Sequence, residues 1–180
     1  MGLEVDLIEE LARIIGFDAI PAQPIKASLI PVGVPETRRA LRMAKNDLVA
    51  RGYFEAVTFS FVAPEVQVHF DPELTPIPLK NPISGDLAVM RTSLIPGLLK
   101  AIAHNASRQQ SRVRLFETGL KFISGDGGAE QIPMLALAVS GLRDTEGWST
   151  EKAAADFFDV KGTIEGLLAN LGDRLKFEAS

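Results

Sequence analysis

Cysteine is absent from this 180-residue chain, and its absence excludes a disulfide framework and thiolate metal sites. A chain without cysteine also suits the reducing cytoplasm, which is the compartment we expect. A basic excess is lacking too, because 19 Lys and Arg residues stand against 23 Asp and Glu residues. The net charge of −4 therefore speaks against broad, nonspecific nucleic-acid binding by this chain.

Long apolar runs are also missing, and none approaches the roughly 20 residues that a membrane helix needs. The N-terminus is acidic, so it does not have the pattern of a secretory signal. We find no internal repeat. What is present is ordinary for a globular protein, with 46% hydrophobic and 23% charged residues. The sequence therefore predicts one domain with a sizeable core, part of a second, and no membrane partner.

The N-terminal segment predicts an amphipathic helix over residues 3–15 that ends at Gly16. Asp6, Glu9 and Glu10 stand at i, i+3 and i+4, which places three carboxylates on one helix surface. From the residues alone, the simpler interpretation is an acidic first turn that faces water. Residues 21–35 contain four prolines and predict an extended linker at a domain boundary.

A second helix is predicted over residues 36–51, started by Pro35 and ended by Gly52. Its narrow apolar seam consists of Leu41, Ala44 and Leu48. Met43 and Val49 lie away from that seam and indicate a second partner, since a helix with one buried face keeps its other side polar. The face with Arg38, Arg42 and Lys45 is either solvated, which is the simpler reading, or an interface. An alternating strand is predicted over residues 53–62.

The central stretch, residues 81–122, predicts a turn, a polar hinge at residues 90–93, a helix and a strand. Thr92 or Ser93 is the expected helix cap, and Pro96 fits the first turn. The strand at residues 112–123 should pair antiparallel with residues 132–140. Residues 63–80 should be irregular, with residues 66–70 either helix or strand.

The C-terminal part predicts a polar loop over residues 142–149 and a helix from about 156 to 170. We expect Trp148, in that loop, to pack as a lid over the core. We expect His69 and His104 to have structural or surface roles. The residues expected to face inward from the last helix, which should end at Gly172, are Phe157, Val160, Ile164, Leu167, Leu168 and Leu171.

Several motifs occur in a fixed order: NPIS at 81–84, MRTSLIPGLL at 90–99, RVRLFETG at 112–119 and DFFDVKG at 156–162. In these motifs the chain resembles the catalytic-like core of the beta subunit of bacterial phenylalanyl-tRNA synthetase. The resemblance implies an α/β (α+β) fold of class II synthetase type, with a mostly antiparallel sheet flanked by helices. It also implies that residues 1–20 end a preceding domain, that 21–35 are a linker, and that 36–180 are a core continuing past Ser180.

The same resemblance gives the acidic helix a second interpretation. VDLIEELARIIGFDAIP, at residues 5–21, resembles the end of the domain that precedes the core in this family. The family residues that match Asp6, Glu9 and Glu10 are magnesium ligands, and carboxylates suit this hard cation. The family has a further aspartate upstream, so we expect any metal site in this chain to be incomplete.

Catalytic and ATP-binding residues are not expected here. The second motif of class II synthetases places an arginine directly after an aromatic residue, but Glu117 follows Phe116 in this chain. Arg112 and Arg114 are displaced from the required position, and the glycine-rich third motif is not found. A synthetase needs such arginines and magnesium to stabilise the charge that develops on ATP phosphates.

The resemblance thus implies a catalytically silent core that supports the alpha subunit in a tetramer of two alpha and two beta chains. The assembly uses ATP and magnesium to attach phenylalanine to its tRNA, which it contacts as a whole. The alternatives are a self-sufficient ATP-dependent ligase, an amino-acid-binding paralogue, or a plain interaction module. An ATP pocket lined by two arginines would favour the ligase, whereas exposed apolar patches on the second helix and the sheet would favour the subunit. We expect such patches to promote self-association of the isolated chain.

Overall fold

The computed structural model describes residues 3–28, 30, 33, 36–125 and 128–169. The chain divides into two compact units, Met1–Val34 and Pro35–Ser180. The first contains helix α1 (Glu4–Ile15) and one 3-10 turn (Phe17–Ala19). The elements of the second unit are α2 (Glu36–Ala50), β1 (Phe54–Glu55), β2 (Phe61–Val62), α3 (Pro64–Phe70), a 3-10 turn (Gly85–Leu87), β3 (Val89–Met90), α4 (Ile95–Ala106), β4 (Arg112–Gly125), β5 (Gly128–Gly141) and α5 (Phe157–Leu167).

The predicted N-terminal helix is confirmed as α1, and Gly16 ends it with a φ of 94°, a conformation that favours glycine. Ala12 is buried within this unit. The apolar stripe beside it stays exposed, from Leu7 through Ile15. Residues 20–28, which include part of the predicted linker, have no regular secondary structure. The rest of the linker, including Pro31 and Pro35, lies largely outside the described residues.

A long hairpin forms the centre of the second unit. β4 and β5 pair antiparallel from Arg112 opposite Gly141 to Gly125 opposite Gly128, which confirms the predicted pair and extends it. β1 joins the other edge of β4 in parallel, so the sheet order is β1-β4-β5. A separate antiparallel pair joins β2 to β3. The result is a mixed α/β structure in which antiparallel pairs predominate.

Helices cover both faces of this sheet. Leu48 of α2, Tyr53 and Phe116 of β4 form the buried core cluster, and α5 adds Leu167. The Tyr53 hydroxyl lies 3.3 Å from Thr163 Oγ1 and links this core to α5. On β4, successive side chains point to opposite faces, so Glu117 faces the side where the residues just before α4 lie.

The predicted strand at residues 53–62 is wrong as a single element. β1 lasts two residues, and the Ala56 N–H still donates to the carbonyl of Phe116. The next available amide, Thr58 N–H, donates instead to the Glu117 carboxylate at 3.3 Å. The backbone therefore leaves the three-stranded sheet, and Phe61 and Val62 pair with β3. Residues 66–70, left open by the sequence, belong to helix α3.

The central helix begins at Ile95 with Pro96 in its first turn, as predicted, but its cap position is Leu94. Ser93 Oγ accepts a hydrogen bond from Ile95 N–H at 3.2 Å. Thr92 is used otherwise, because its hydroxyl binds the buried Gln67 side chain and Asp71. The prediction that Thr92 or Ser93 occupies the cap position is therefore wrong by one or two residues.

The last helix begins after Asp156, whose side chain and that of Asp159 cap it reciprocally. Val160, Ile164, Leu167 and Leu168 are half-buried as predicted. Phe157 is exposed, contrary to prediction, because it is the first helical residue and its ring packs edge-to-face on Phe158 with centroids 5.6 Å apart. Leu171 and Gly172 lie outside the described residues.

Candidate functional site

A buried polar cluster lies where β4 meets the hinge before α4. Arg91 Nη1 donates to Glu117 Oε1 at 2.7 Å, and the two side chains are only 5% and 2% exposed. Arg91 Nε donates to the carbonyl of Leu120 at 2.9 Å. Thr58 completes the cluster, since its hydroxyl lies 2.8 Å from Glu117 Oε2. Both carboxylate oxygens of Glu117 are therefore bound within the chain.

A glycine on β4 makes room for the pair of Arg91 and Glu117. Gly119 lies on the same face of β4 as Glu117, two residues further on. A Cβ at this position would lie 2.4 Å from Arg91 Nη2 and 3.3 Å from Leu94 Cδ2. The absence of a side chain at residue 119 thus leaves the space in which the guanidinium lies.

The other arginines of β4 also have internal partners. Arg112 Nε and Arg114 Nη2 donate to the carbonyl of Arg143, at 3.3 and 2.6 Å. The Arg114 guanidinium also lies 5.6 Å from the centre of the Tyr53 ring. These contacts hold β4 against the following loop. Arg91 is thus held in an ion pair, whereas Arg112 and Arg114 both donate to one backbone carbonyl.

The acidic residues of α1 are brought together on one surface, where their contacts are local. Arg13 binds Glu9 at 2.9 Å and Glu10 at 3.3 Å, and Asp6 Oδ2 accepts a hydrogen bond from Leu3 N–H at 3.2 Å. Over the described residues, no three His, Cys, Asp or Glu side chains are grouped so as to hold a metal ion. Arg13 thus engages two of the three carboxylates that the resemblance assigns to magnesium.

The helix predicted to meet a partner has exposed apolar residues. Met43 and Val49 are 65% and 57% exposed, whereas Leu48 of the predicted seam is fully buried. Of the basic residues, Arg38 and Arg42 are exposed, and Lys45 forms an ion pair with Glu55. The charge of Lys45 is therefore paired within the chain, whereas Arg38 and Arg42 lie on the surface.

The segment between β1 and β2 also exposes apolar side chains. Val57 and Phe59 are exposed, while the alternate residues Thr58 and Ser60 are half-buried. The alternation seen in the sequence is thus real, but its apolar side faces out. Beside this segment lies a groove of about 1140 Å³, whose walls also include α3 and α4.

The loop after β5 differs from expectation, because Trp148 is fully exposed and does not cover the core. Lys152 lies 2.6 Å from Glu146 and lowers the pKa of that carboxyl by a hydrogen bond and by its charge. Arg143 forms ion pairs with Asp156 and Asp159, and the hydrogen bond to Asp159 raises the pKa of the guanidinium. The pKa of Asp159 is lowered, first by the hydrogen bond that Asp156 N–H donates to it.

The two histidines are exposed, and His104 Nδ1 lies 3.0 Å from Arg108 Nη1. Sequence reasoning did not predict the pair of Arg91 and Glu117, although Arg91 lies in the predicted polar hinge and Glu117 was compared with the synthetase motif. One signal could have found it. Glu117 lies between Phe116 and Gly119 on a strand with two nearby arginines, and a carboxylate in the middle of a central strand needs a cationic partner if it is buried.

A solved pyrrolysyl tRNA synthetase from Desulfitobacterium hafniense has a similar fold, with a TM-score of 0.57 and 17% sequence identity. The match covers 81% of this chain and 50% of that one. The fold is therefore one that an aminoacyl-tRNA synthetase also uses. Within the part of the chain that the structure covers, no helix is long and apolar enough to cross a membrane.

Sequence comparison is more specific. Residues 20–180 match the family model described as the phenylalanyl tRNA synthetase beta chain CLM domain. The phenylalanine–tRNA ligase beta subunit of Pseudomonas putida is 51% identical over 172 residues, and that of Pseudoalteromonas translucida is 46% identical over 179. These matches cover 96% and 98% of this chain. The chain belongs to the phenylalanyl-tRNA synthetase beta-chain family. It spans about a fifth of the length of the relatives it matches, 22% in both cases.

Proposed function

We propose that this chain is a non-catalytic, class II-like core of a phenylalanine–tRNA ligase beta subunit, with residues 36–180 as the core domain. It supports an alpha subunit that carries out the ATP-dependent attachment of phenylalanine to tRNA. The assembly is a cytoplasmic tetramer of two alpha and two beta chains, and tRNA is bound by the assembly. Residues 1–20 end the preceding domain, and residues 21–35 link the two.

One observation carries the non-catalytic assignment: the carboxylate of Glu117 is buried and bound by Arg91 and Thr58. Stabilising the charge of a transferring phosphoryl or adenylyl group needs free cationic groups aimed at the substrate. Here the guanidinium nearest to Glu117 neutralises a carboxylate of the same chain. Arg112 and Arg114 are directed to the carbonyl of Arg143. We infer from these contacts that β4 does not bind the phosphates of ATP.

The supporting role rests on the exposed apolar residues of α2 and of the segment before β2. Met43, Val49, Val57 and Phe59 are all more than half exposed. Exposed apolar residues of this size, on α2 and on the segment before β2, are typical of surfaces that contact another protein. We infer that the alpha subunit covers it in the assembly, and that the isolated chain self-associates through it.

The magnesium proposal concerns Asp6, Glu9 and Glu10 within the longer subunit. The support is their spacing, which gives three carboxylates on one surface of α1. Arg13 binds two of them, so magnesium must compete with Arg13 for Glu9 and Glu10. Magnesium supplies charge neutralisation when bound, and these residues would hold it by their carboxylate oxygens.

Co-expression with the matching alpha subunit tests the supporting role. We expect the two chains to purify together and to elute from a sizing column as one complex. Separate elution of the two chains, with both folded, would contradict the proposal.

A further inference from the structure

The loop after β5 is built as a braced hairpin. Leu142 and Ala154 form an antiparallel bridge, and Arg143 N–H donates to the carbonyl of Ala153 at 2.9 Å. Nearer the tip, Glu146 and Lys152 form an ion pair across the loop. At the tip, Thr150 N–H donates to the carbonyl of Gly147 at 3.3 Å, which makes residues 147–150 a β-turn.

Arg143 joins the base of this hairpin to α5. Its guanidinium lies 3.2 Å from Asp156 and 3.1 Å from Asp159, the two residues that cap the helix. Contacts at the base, the middle and the tip therefore hold one backbone arrangement. A loop held in this way loses little further freedom when it binds.

Trp148 is the second residue of the turn at the tip, and its side chain is 105% exposed, more than in an extended peptide. Exposing an indole to water forgoes the large favourable free energy of its burial. We propose that Trp148 is an anchor that inserts into an apolar pocket, rimmed by basic groups, on a partner protein. Tryptophan is one of the residue types enriched among the few residues that dominate binding energy at protein interfaces.

The charge of the loop selects the kind of partner. Asp144, Glu146 and Glu151 lie on the hairpin, and Asp156 and Asp159 lie at its base, against the two cations Arg143 and Lys152. A negative surround repels the phosphates of a nucleic acid, which needs cationic side chains beside a stacking aromatic ring. The same surround attracts a protein pocket with a basic rim and speeds its association.

The experiment uses the matching alpha subunit as the probe, so it rests on the proposed function. Trp148 is the single tryptophan of the chain, so 5-fluorotryptophan gives one fluorine resonance for this site. We expect alpha subunit to shift that resonance and to abolish its sensitivity to exchange of water for deuterium oxide. A complex on the sizing column with an unchanged resonance would overturn this inference and leave the proposed function intact, whereas absence of a complex would overturn both. A shift produced by tRNA alone would show base stacking and would also overturn it.

Variants test the energy of the contact. Trp148→Ala should weaken the complex at least about 30-fold, the effect of a strong interface anchor. Because the Trp148 side chain is fully exposed, the melting temperature of the variant should equal that of the parent chain. Ile83→Ala is the matched control, since Ile83 is also an exposed apolar residue on a turn, and it should leave affinity unchanged. Glu151→Lys should weaken the complex with the alpha subunit, because it reverses a negative charge beside Trp148. Tighter binding by Glu151→Lys would contradict the inference. So would an affinity of Trp148→Ala within about threefold of that of the parent chain.

Discussion

Arg91 and Glu117 form an ion pair with a 2.7 Å contact, almost wholly removed from water and reinforced by Thr58. The pair joins three segments that are distant in sequence: the residues after β1, the hinge before α4, and the middle of β4. A charge in this position is tolerated only while its partner is present. The fold and the proposed loss of catalysis thus depend on the same two side chains.

Arg91→Met should strongly destabilise the chain, because it leaves the Glu117 carboxylate buried without its cation. Breaking one side of such a pair costs about 3–5 kcal/mol in the free energy of unfolding. Urea denaturation followed by circular dichroism measures this. Lys152→Met is the control, since its pair with Glu146 is 71% and 59% exposed and, as a solvent-screened surface pair, should change the stability little. Equal effects of the two changes would show that the buried pair is not important for stability.

Gly119→Ala should be destabilising by about 1–3 kcal/mol, because the added methyl group would overlap the Arg91 guanidinium. The physical cause is testable in a double variant. When Arg91 is already Met, the alanine should cost clearly less. Gly162→Ala is the matched control: its Cβ meets open space in α5, so it should stabilise by about 1 kcal/mol. Strict additivity of Gly119→Ala and Arg91→Met would rule out the proposed overlap.

Met43→Lys and Val49→Lys should leave the fold intact and prevent binding of the alpha subunit. Both side chains are more than half exposed, and surface changes usually alter stability by about 0.5 kcal/mol or less. Thermal unfolding and co-purification measure the two effects separately. Leu48→Lys, on the same helix, should abolish folding, because it would bury an unpaired charge. Unchanged alpha-subunit binding by the double lysine variant would argue against this interface.

Magnesium should bind this chain weakly. Arg13 occupies Glu9 and Glu10, and the cation must compete with that pair for its ligands. Calorimetric titration with magnesium chloride should give no stoichiometric transition, and Arg13→Ala should increase the weak heats. Tight, one-to-one binding that is lost when any one of Asp6, Glu9 and Glu10 is replaced would contradict this expectation.

Local sequence patterns predicted the regular elements well, because their causes are local. Gly16 and the apolar spacing define α1, and alternation with a glycine-rich turn defines the β4–β5 hairpin. The strand at residues 53–62 failed for a tertiary reason. The Glu117 carboxylate of β4 accepts a hydrogen bond from the Thr58 N–H, and no local sequence pattern reveals this contact.

The candidate site was predictable only in pieces. Glu117 and the polar hinge at residues 90–93 were both recognised, but their contact spans 26 positions and depends on how α4 packs. Trp148 was expected to be buried because large aromatic side chains usually are. Its exposure follows from the braced turn, whose ion pairs join residues up to 16 positions apart.

The central claim is that this chain supports catalysis without performing it. Isotope exchange between pyrophosphate and ATP, measured with the pure 180-residue chain in the presence and absence of phenylalanine, tests it most directly. The pair of Arg91 and Glu117 and the internal contacts of Arg112 and Arg114 predict no phenylalanine-dependent exchange. Phenylalanine-dependent exchange by the chain alone, abolished by Glu117→Gln, would contradict the account and identify β4 as a working catalytic strand.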